Sequence, residues 1–523
     1  MGGYLTVFGA ALTTDYEPVV HTEHGWVSGT LESGIRVFKG IPYAQPPLGP
    51  LRWRPPQPVA AWTGIKPTVE FAADCPQESN IASRASRQSE DCLYLNVWTP
   101  ARAQAESLPV MVWVHGGSFV MGSGAEALFD PTHLVREDVI VVTVNYRLGI
   151  FGFLAHPDLT AESPHRSSSN YALLDQLAAL DWIKANIAAF GGDPDRVTAF
   201  GVSAGSASLS LLLTSPPYDG HFSRAIMQSP GAARRLATLE DAERAGFSLA
   251  SRIETLRQVS DVELLAKTPL LAPKVRGLTT PRILRPICDG WVIPQEERKV
   301  FESGRFPKLP MIIGTNTDEG AEATASWPIA DLAEFKRLVE QNFPECPSRA
   351  FAHYPAGADA EVRRQVANMF GDTQFNYGAR LLARSMASAG GRTWRYVFTR
   401  RYPGQREGPF HGQEVAYVFG NLDTRLWADR PAPPSDDDDR ELSRVMRKAW
   451  LAFAKTGDPN NADIPKWDCF DPAQDNYLEF GDAVRADSGW RAEQLAFLDD
   501  YFGGLHQAGE VPPSPLHSES SIN

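Results

Sequence analysis

Hydrophobic and polar positions along the chain follow two recurrent patterns. Val110-Met111-Val112-Trp113-Val114 and Val139-Ile140-Val141-Val142-Thr143-Val144 are near-continuous apolar runs rich in β-branched residues. Such runs suit strands covered on both faces, as in a largely parallel sheet with helices above and below. Leu173, Leu177, Leu180, Ile183, Ile187 and Phe190 instead recur at steps of three and four, which predicts an amphipathic helix of about five turns. Gly191-Gly192-Asp193-Pro194 stops that helix, and Val197-Thr198-Ala199-Phe200 reads as the next strand. Further strands are predicted at Arg224–Gln228, Pro310–Gly314 and Trp394–Thr399, with less patterned helical stretches between them, notably 330–390. Strand and helix alternating in this way predict a doubly wound α/β sheet.

Other stretches carry weaker patterns. Prolines and a glycine interrupt Phe38–Pro47, which reads as an ordered surface segment without a long regular element. The acidic run Asp436–Asp439 precedes a helix predicted over Glu441–Lys455 and reads as its solvated N-terminal cap, not as a metal site. Residues 1–19 read as a leader or loose segment: Tyr4–Leu12 is mildly apolar but lacks the basic residues of a signal peptide. Residues 20–502 show no linker-like break and are expected to form one large domain, and the polar, proline-bearing stretch 503–523 is expected to be disordered.

Composition then excludes classes. A net charge of −13 argues against general nucleic-acid binding, which needs a basic surface. No apolar run approaches the roughly 20 residues that span a bilayer. The expected partner is a small molecule, with the chain a monomer or homodimer. Of the five cysteines, none shows paired metal-site or redox spacing, and no cofactor is called for. Cys75 and Cys92 bracket a polar 16-residue loop that a disulfide would close. Cys288, Cys346 and Cys469 are expected to be buried thiols. A secreted or periplasmic location is favoured over the cytoplasm.

The chemistry centres on Gly201-Val202-Ser203-Ala204-Gly205, a G-x-S-x-G pattern lying between the strand Val197–Phe200 and the small, then apolar, stretch Ser206–Leu213. In that context the pattern is a nucleophile elbow, a sharp strand-to-helix turn that presents a serine at its tip. A serine hydroxyl needs a base to take its proton and a third group to orient the base. In this chain order the acid and then the histidine follow the serine. His506 and His517 lie in the tail, His221 leaves no room for an intervening acid, and His353 sits in the helical region. His411 remains, in a loop after the strand Trp394–Thr399. The acid belongs after the strand ending at Gly314, where both Asp318 and Glu319 stand. An oxyanion hole needs preorganised N–H donors. His115-Gly116-Gly117-Ser118, after the strand Val110–Val114, is a variant of the H-G-G-G loop, and Ala204 follows the nucleophile.

With Phe38–Pro47 followed by Leu51-Arg52-Trp53, Ser89–Val97, Asn145–Gly149, Asn186–Pro194 leading into the elbow, Phe222–Ser229, Asp318-Glu319-Gly320, His411-Gly412, Tyr417–Gly420 and Phe453–Asn460, the chain resembles the type-B carboxylesterase family over about residues 20–500. That family includes cholinesterases and bacterial para-nitrobenzyl esterases. The resemblance implies an α/β-hydrolase fold and a Ser203–Glu319–His411 triad acting on carboxylic esters through an acyl-enzyme. It also implies oxyanion donors at Gly117, Ser118 and Ala204, a Cys75–Cys92 disulfide, and a structural ion pair between Glu90 and Arg147.

Departures narrow the substrate. Val202 stands where cholinesterases carry an acidic residue, the loop Pro76–Asp91 has no aromatic platform for choline, and no cysteine falls between Cys92 and Cys288 for their second disulfide. Arg84 and Arg87 occupy that loop instead. Were it helical, both would share one face and could engage carboxylates, pointing to esters of polycarboxylic acids such as those of fumonisin-type toxins. The competing reading for the whole chain is a catalytically inactive adhesion or binding member of the same fold, which the retained triad argues against.

Overall fold

An 11-stranded mixed sheet runs through the centre of the molecule. In chain order its strands are β1 (Thr30–Glu32), β2 (Ile35–Pro42), β3 (Tyr94–Pro100), β4 (Leu108–Val114), β5 (Ile140–Val144), β6 (Gly192–Val202), β7 (Arg224–Gln228), β8 (Met311–Asn316), β9 (Thr393–Phe398), β10 (Asn476–Phe480) and β11 (Val484–Ser488). Their spatial order is β11-β10-β9-β8-β7-β6-β4-β5-β3-β2-β1. From β5 to β10 every neighbouring pair is parallel, and antiparallel pairs close both edges. The structure, a computed structural model, describes residues 18–78, 82–102, 107–271, 277–424 and 433–508. Most of the expected leader and tail lies outside those residues.

The apolar runs are buried on both faces, as their composition requires. Val110, Val112 and Val114 of β4 pack into one core, while Met111 and Trp113 pack into the other. Ile140, Val142 and Val144 of β5 join the first core, and Val141 joins the second. Each such side chain withdrawn from water contributes roughly 1.5–3 kcal/mol. The first core lies under helices α1 (Tyr171–Asn186) and α2 (Ala204–Leu212). The second lies under the long helix Asp437–Thr456. The helices of 330–390 form a third core with the C-terminal helix, through Phe335, Leu338, Leu495 and Leu498.

Local structure departs from the sequence pattern in several places. α1 is buried on nearly all sides, Asp175 and Gln176 included, and is not amphipathic, because neighbouring segments cover its outer face. It ends at Asn186, a 3-10 turn carries Ile187–Phe190, and Gly191 closes it in the left-handed region at φ 94°. Phe38–Pro47 is not irregular throughout: β2 continues to Pro42 across a bulge between Phe38 and Ile41, with Gly40 at φ +74° absorbing the extra residue. Asp439 is no solvated cap residue; it is buried, and its carboxylate accepts bonds from Arg400 and Tyr417. Cys469 is exposed, and Cys288 and Cys346 are half-buried. The last helix, Ala492–Ala508, runs six residues into the stretch read as a disordered tail. No helix among the described residues is long and apolar enough to cross a membrane.

Candidate active site

At the end of β6 the backbone turns within one residue. Ser203 sits at φ 57°, ψ −118°, a strained combination for a side chain with a Cβ, and α2 starts at Ala204. The elbow is held from below, where the Ser203 N–H donates to the carbonyl of Gln228 on β7 at 2.9 Å. A Cβ at Gly205 would lie 2.0 Å from the carbonyl oxygen of Val114, so only glycine lets the elbow nest against the end of β4. These contacts lift Ser203 into an open pocket at the carboxyl ends of the parallel strands, where doubly wound sheets place ligands.

From β8 the chain delivers Glu319. Its Oε1 accepts the Asn316 N–H at 2.7 Å and the Ser229 hydroxyl at 2.6 Å, and its Oε2 lies 2.5 Å from Nδ1 of His411. Asp318 faces elsewhere: Arg364 bonds its carboxylate at 2.9 Å, and burial, opposed by that arginine, raises its pKa. Of the two candidate acids, the geometry brings Glu319 to the histidine. Phe375 stacks on the His411 ring, and His411 Nε2 is buried with no hydrogen bond among the described residues.

A second carboxylate lies behind this pair. Glu414 is fully buried and accepts bonds from Gln228 at 3.1 Å and from Asn316 at 2.6 Å. Burial, reinforced by the charge of Glu319, pushes its pKa up to about 7. Sequence reading passed over it, although its position three residues after His411 is the available signal.

On the other side of Ser203, Gly117, Ser118 and Phe119 are consecutive left-handed residues at φ 104°, 56° and 63°. The Gly117 carbonyl accepts N–H groups from Val120 and Met121, folding the loop back on itself. His115 anchors it: the ring stacks on Tyr146 at 4.3 Å, and the Tyr146 hydroxyl donates to the His115 carbonyl at 2.8 Å. Burial lowers the His115 pKa to about 4, so it stays neutral near pH 7. Ala204 is the first residue of α2, and its N–H has no acceptor within the helix.

Two expected arrangements are absent. Glu90 and Arg147 do not pair with each other among the described residues. Glu90 binds Arg52, and Arg147 holds Asp175 of α1 through bonds of 2.8 and 2.7 Å. Nor do Arg84 and Arg87 share a helical face at the pocket. Their segment is irregular, bridged by Ser83 to Glu126 and by Asp74 to Gln88. Arg84 pairs with Asp130 at 2.7 Å and lies over Phe71, and Arg87 lines a separate groove beside Lys39 and Tyr94. Neither lines the pocket that holds Ser203. Cys75 and Cys92 are bonded.

The pocket instead draws four arginines from two loops: Arg234 and Arg235 from the segment after β7, and Arg282 and Arg285 from the segment before β8. One carboxylate, Glu297, joins them in the lining; burial pushes its pKa up to about 7 against bonds from Ser210 and the Ala233 N–H. A turn of π-helix, Asp372–Asn376, presents Thr373, Gln374 and Phe375 to the same space.

Residues 16–498 match the model of a family described as the carboxylesterase family. The chain is 42% identical over 485 residues to a fumonisin B1 esterase of Sphingopyxis macrogoltabida, covering 92% of this chain and 89% of that protein. It is 36% identical to a para-nitrobenzyl esterase of Bacillus subtilis, covering 84% and 90% of the two chains. A solved structure of a PNB esterase superposes with a TM-score of 0.81 at 34% identity, covering 92% of this chain and all of the other.

Proposed function

Because this chain belongs to the carboxylesterase family and hydrolyses carboxylic esters, we propose that Ser203, His411 and Glu319 carry the reaction through an acyl-enzyme. His411 Nε2 takes the proton of the Ser203 hydroxyl as its oxygen attacks the ester carbonyl. The negative charge that develops on the carbonyl oxygen is met by the N–H groups of Gly117, Ser118 and Ala204, fixed before the substrate arrives. Collapse expels the alcohol, which receives the proton from His411, and a water activated by the same nitrogen releases the acid. Glu319 fixes the histidine so that Nε2 acts as the base, and stabilises the imidazolium that forms.

The observation carrying this reading is the 2.5 Å contact between His411 Nδ1 and Glu319 Oε2, which leaves the buried Nε2 without a hydrogen bond among the described residues. The test is turnover of para-nitrophenyl butyrate together with labelling by a phosphonate. Wild type should burst with nitrophenolate and gain the phosphonyl mass on Ser203, and Ser203→Ala should do neither. Near-wild-type turnover in Ser203→Ala would discard the assignment. A finer reading, supported by the 42% identity to a fumonisin B1 esterase, is that fumonisin-type esters bearing free carboxylates are favoured substrates.

A further inference from the structure

Four guanidinium groups line the same cavity as Ser203, from two loops separated by about fifty residues of sequence. We propose that Arg234, Arg235, Arg282 and Arg285 form a subsite that grips the free carboxylates of a polycarboxylic ester while its scissile carbonyl rests at Ser203. This rests on the acyl-enzyme reading above and assigns the selectivity to residues outside the triad.

Gln374 organises two of them. Its carbonyl oxygen accepts from Arg234 Nη2 at 3.1 Å, and its side-chain oxygen accepts from Arg282 Nη2 at 2.8 Å. Its own amide group donates to the Leu278 carbonyl at 2.8 Å, so the clamp is tied to the loop that carries Arg282. Arg234 is further held over the Phe375 ring at 5.5 Å. Arginine carries five N–H donors in a planar fork, so a guanidinium already held by protein groups can share its fork with a substrate carboxylate. A neutral acyl chain needs no such wall; Phe119, Leu236 and Phe370 supply apolar lining.

The charge balance of the lining points the same way. Among the described residues lining the cavity Glu297 is the one acid, and its raised pKa leaves it only partly ionised near pH 7. The molecule as a whole is acidic, at −13, so a cationic pocket runs against its average surface. A dianionic or trianionic ester would be drawn into the pocket and oriented there.

The test compares para-nitrophenyl butyrate with the para-nitrophenyl half-ester of glutaric acid, whose acyl chain ends in a carboxylate. Wild type should prefer the half-ester in kcat/KM, and added salt should reduce that preference. In Arg282→Gln and Arg235→Gln the ratio of the two kcat/KM values should fall by about tenfold each, chiefly through KM of the half-ester, with partial recovery in Arg282→Lys. Wild-type hydrolysis of the neutral ester should also be inhibited more strongly by tricarballylate than by butyrate, a measurement that requires no variant to fold. An unchanged ratio in both folded variants, or tricarballylate no better than butyrate, would overturn the subsite. Ser203 dependence of the neutral-ester reaction is scored separately: its loss would overturn the catalytic reading, whereas its persistence beside an unmoved ratio removes the subsite alone.

Discussion

Phe375 lies against the imidazole of His411, with ring centroids 4.1 Å apart and planes inclined by 26°. The histidine is thus held from two directions, by a carboxylate at Nδ1 and by an aromatic face. Catalytic geometry tolerates little displacement, and about 1 Å of misplacement is worth roughly 100-fold in rate. Phe375→Ala should therefore lower kcat on a neutral ester by about tenfold or more, with the fold retained. Steady-state kinetics beside a melting curve checks this, and a kcat within twofold of wild type would show that Glu319 alone suffices.

Glu319→Gln removes the charge that faces the imidazolium while nearly preserving shape. Ser229 and the Asn316 N–H donate to Oε1 and select the orientation of the new amide, which leaves its NH2 facing His411 Nδ1. That stabilises the wrong tautomer, so kcat should fall by about 10⁴, the loss expected when a triad acid becomes an amide. A fall under tenfold would move the role of acid to another carboxylate.

Ser118 stands in the proposed oxyanion loop at φ 56°, where a Cβ is disfavoured by about 1 kcal/mol. Ser118→Gly keeps the backbone N–H and relieves that strain. Its kcat should stay well within the roughly 100-fold that marks the loss of a donor, with a melting temperature equal to or above wild type. A larger loss in a folded variant would assign the hydroxyl a part in the reaction.

Glu414 gives stability a pH dependence of known sign. Burial, with the Glu319 charge, raises its pKa in the folded state from 4.5 to about 7. The fold therefore prefers the protonated acid: this contribution is complete below about pH 4.5 and is lost as pH rises through 7. Wild type should lose melting temperature between pH 5 and 8 more steeply than Glu414→Gln, which cannot ionise. Parallel curves would place the titration elsewhere.

Opening the Cys75–Cys92 bond, by reduction or by Cys75→Ala with Cys92→Ala, frees a loop of 17-residue separation. A loop of that size stabilises by about 3 kcal/mol when closed. The melting temperature should drop by several degrees, with kcat affected much less than by Phe375→Ala, since neither Arg84 nor Arg87 lines the pocket that holds Ser203. A kcat loss equal to that of Phe375→Ala would tie the loop to the pocket.

What the sequence disclosed, and what it concealed, divides along the range of the interaction. β-branched runs announced β4 and β5 because burial on both faces is written in every residue of the run. The elbow was legible because a tight turn demands small residues at fixed offsets. Partner choice was not: Arg52 and Asp175 are no less plausible by spacing than the Glu90–Arg147 pair, and only the packing of α1 decides. Arg84 and Arg87 misled because their shared face required a helix that the bridged, disulfide-closed loop does not form. The pocket arginines stand in loops without periodicity, and sheet order alone unites them. The doublet Arg234-Arg235, five residues beyond Ser229 at a strand's carboxyl end, was the usable signal. The π-turn Asp372–Asn376 left no mark, for one extra residue in a helix does not alter its composition.

That single turn ties two tasks together. Gln374 binds Arg234 and Arg282 and its neighbour Phe375 stacks on His411, so the proposed yardstick for the substrate and the seat of the proposed base are adjacent links of one backbone. Any insertion or deletion there would shift both at once. Broadening the range of acids this enzyme accepts is therefore a matter for the two arginine loops, which can be rewritten independently, while the turn between helices Asp359–Gly371 and Tyr377–Ser388 must stay as it is for any variant to keep its rate.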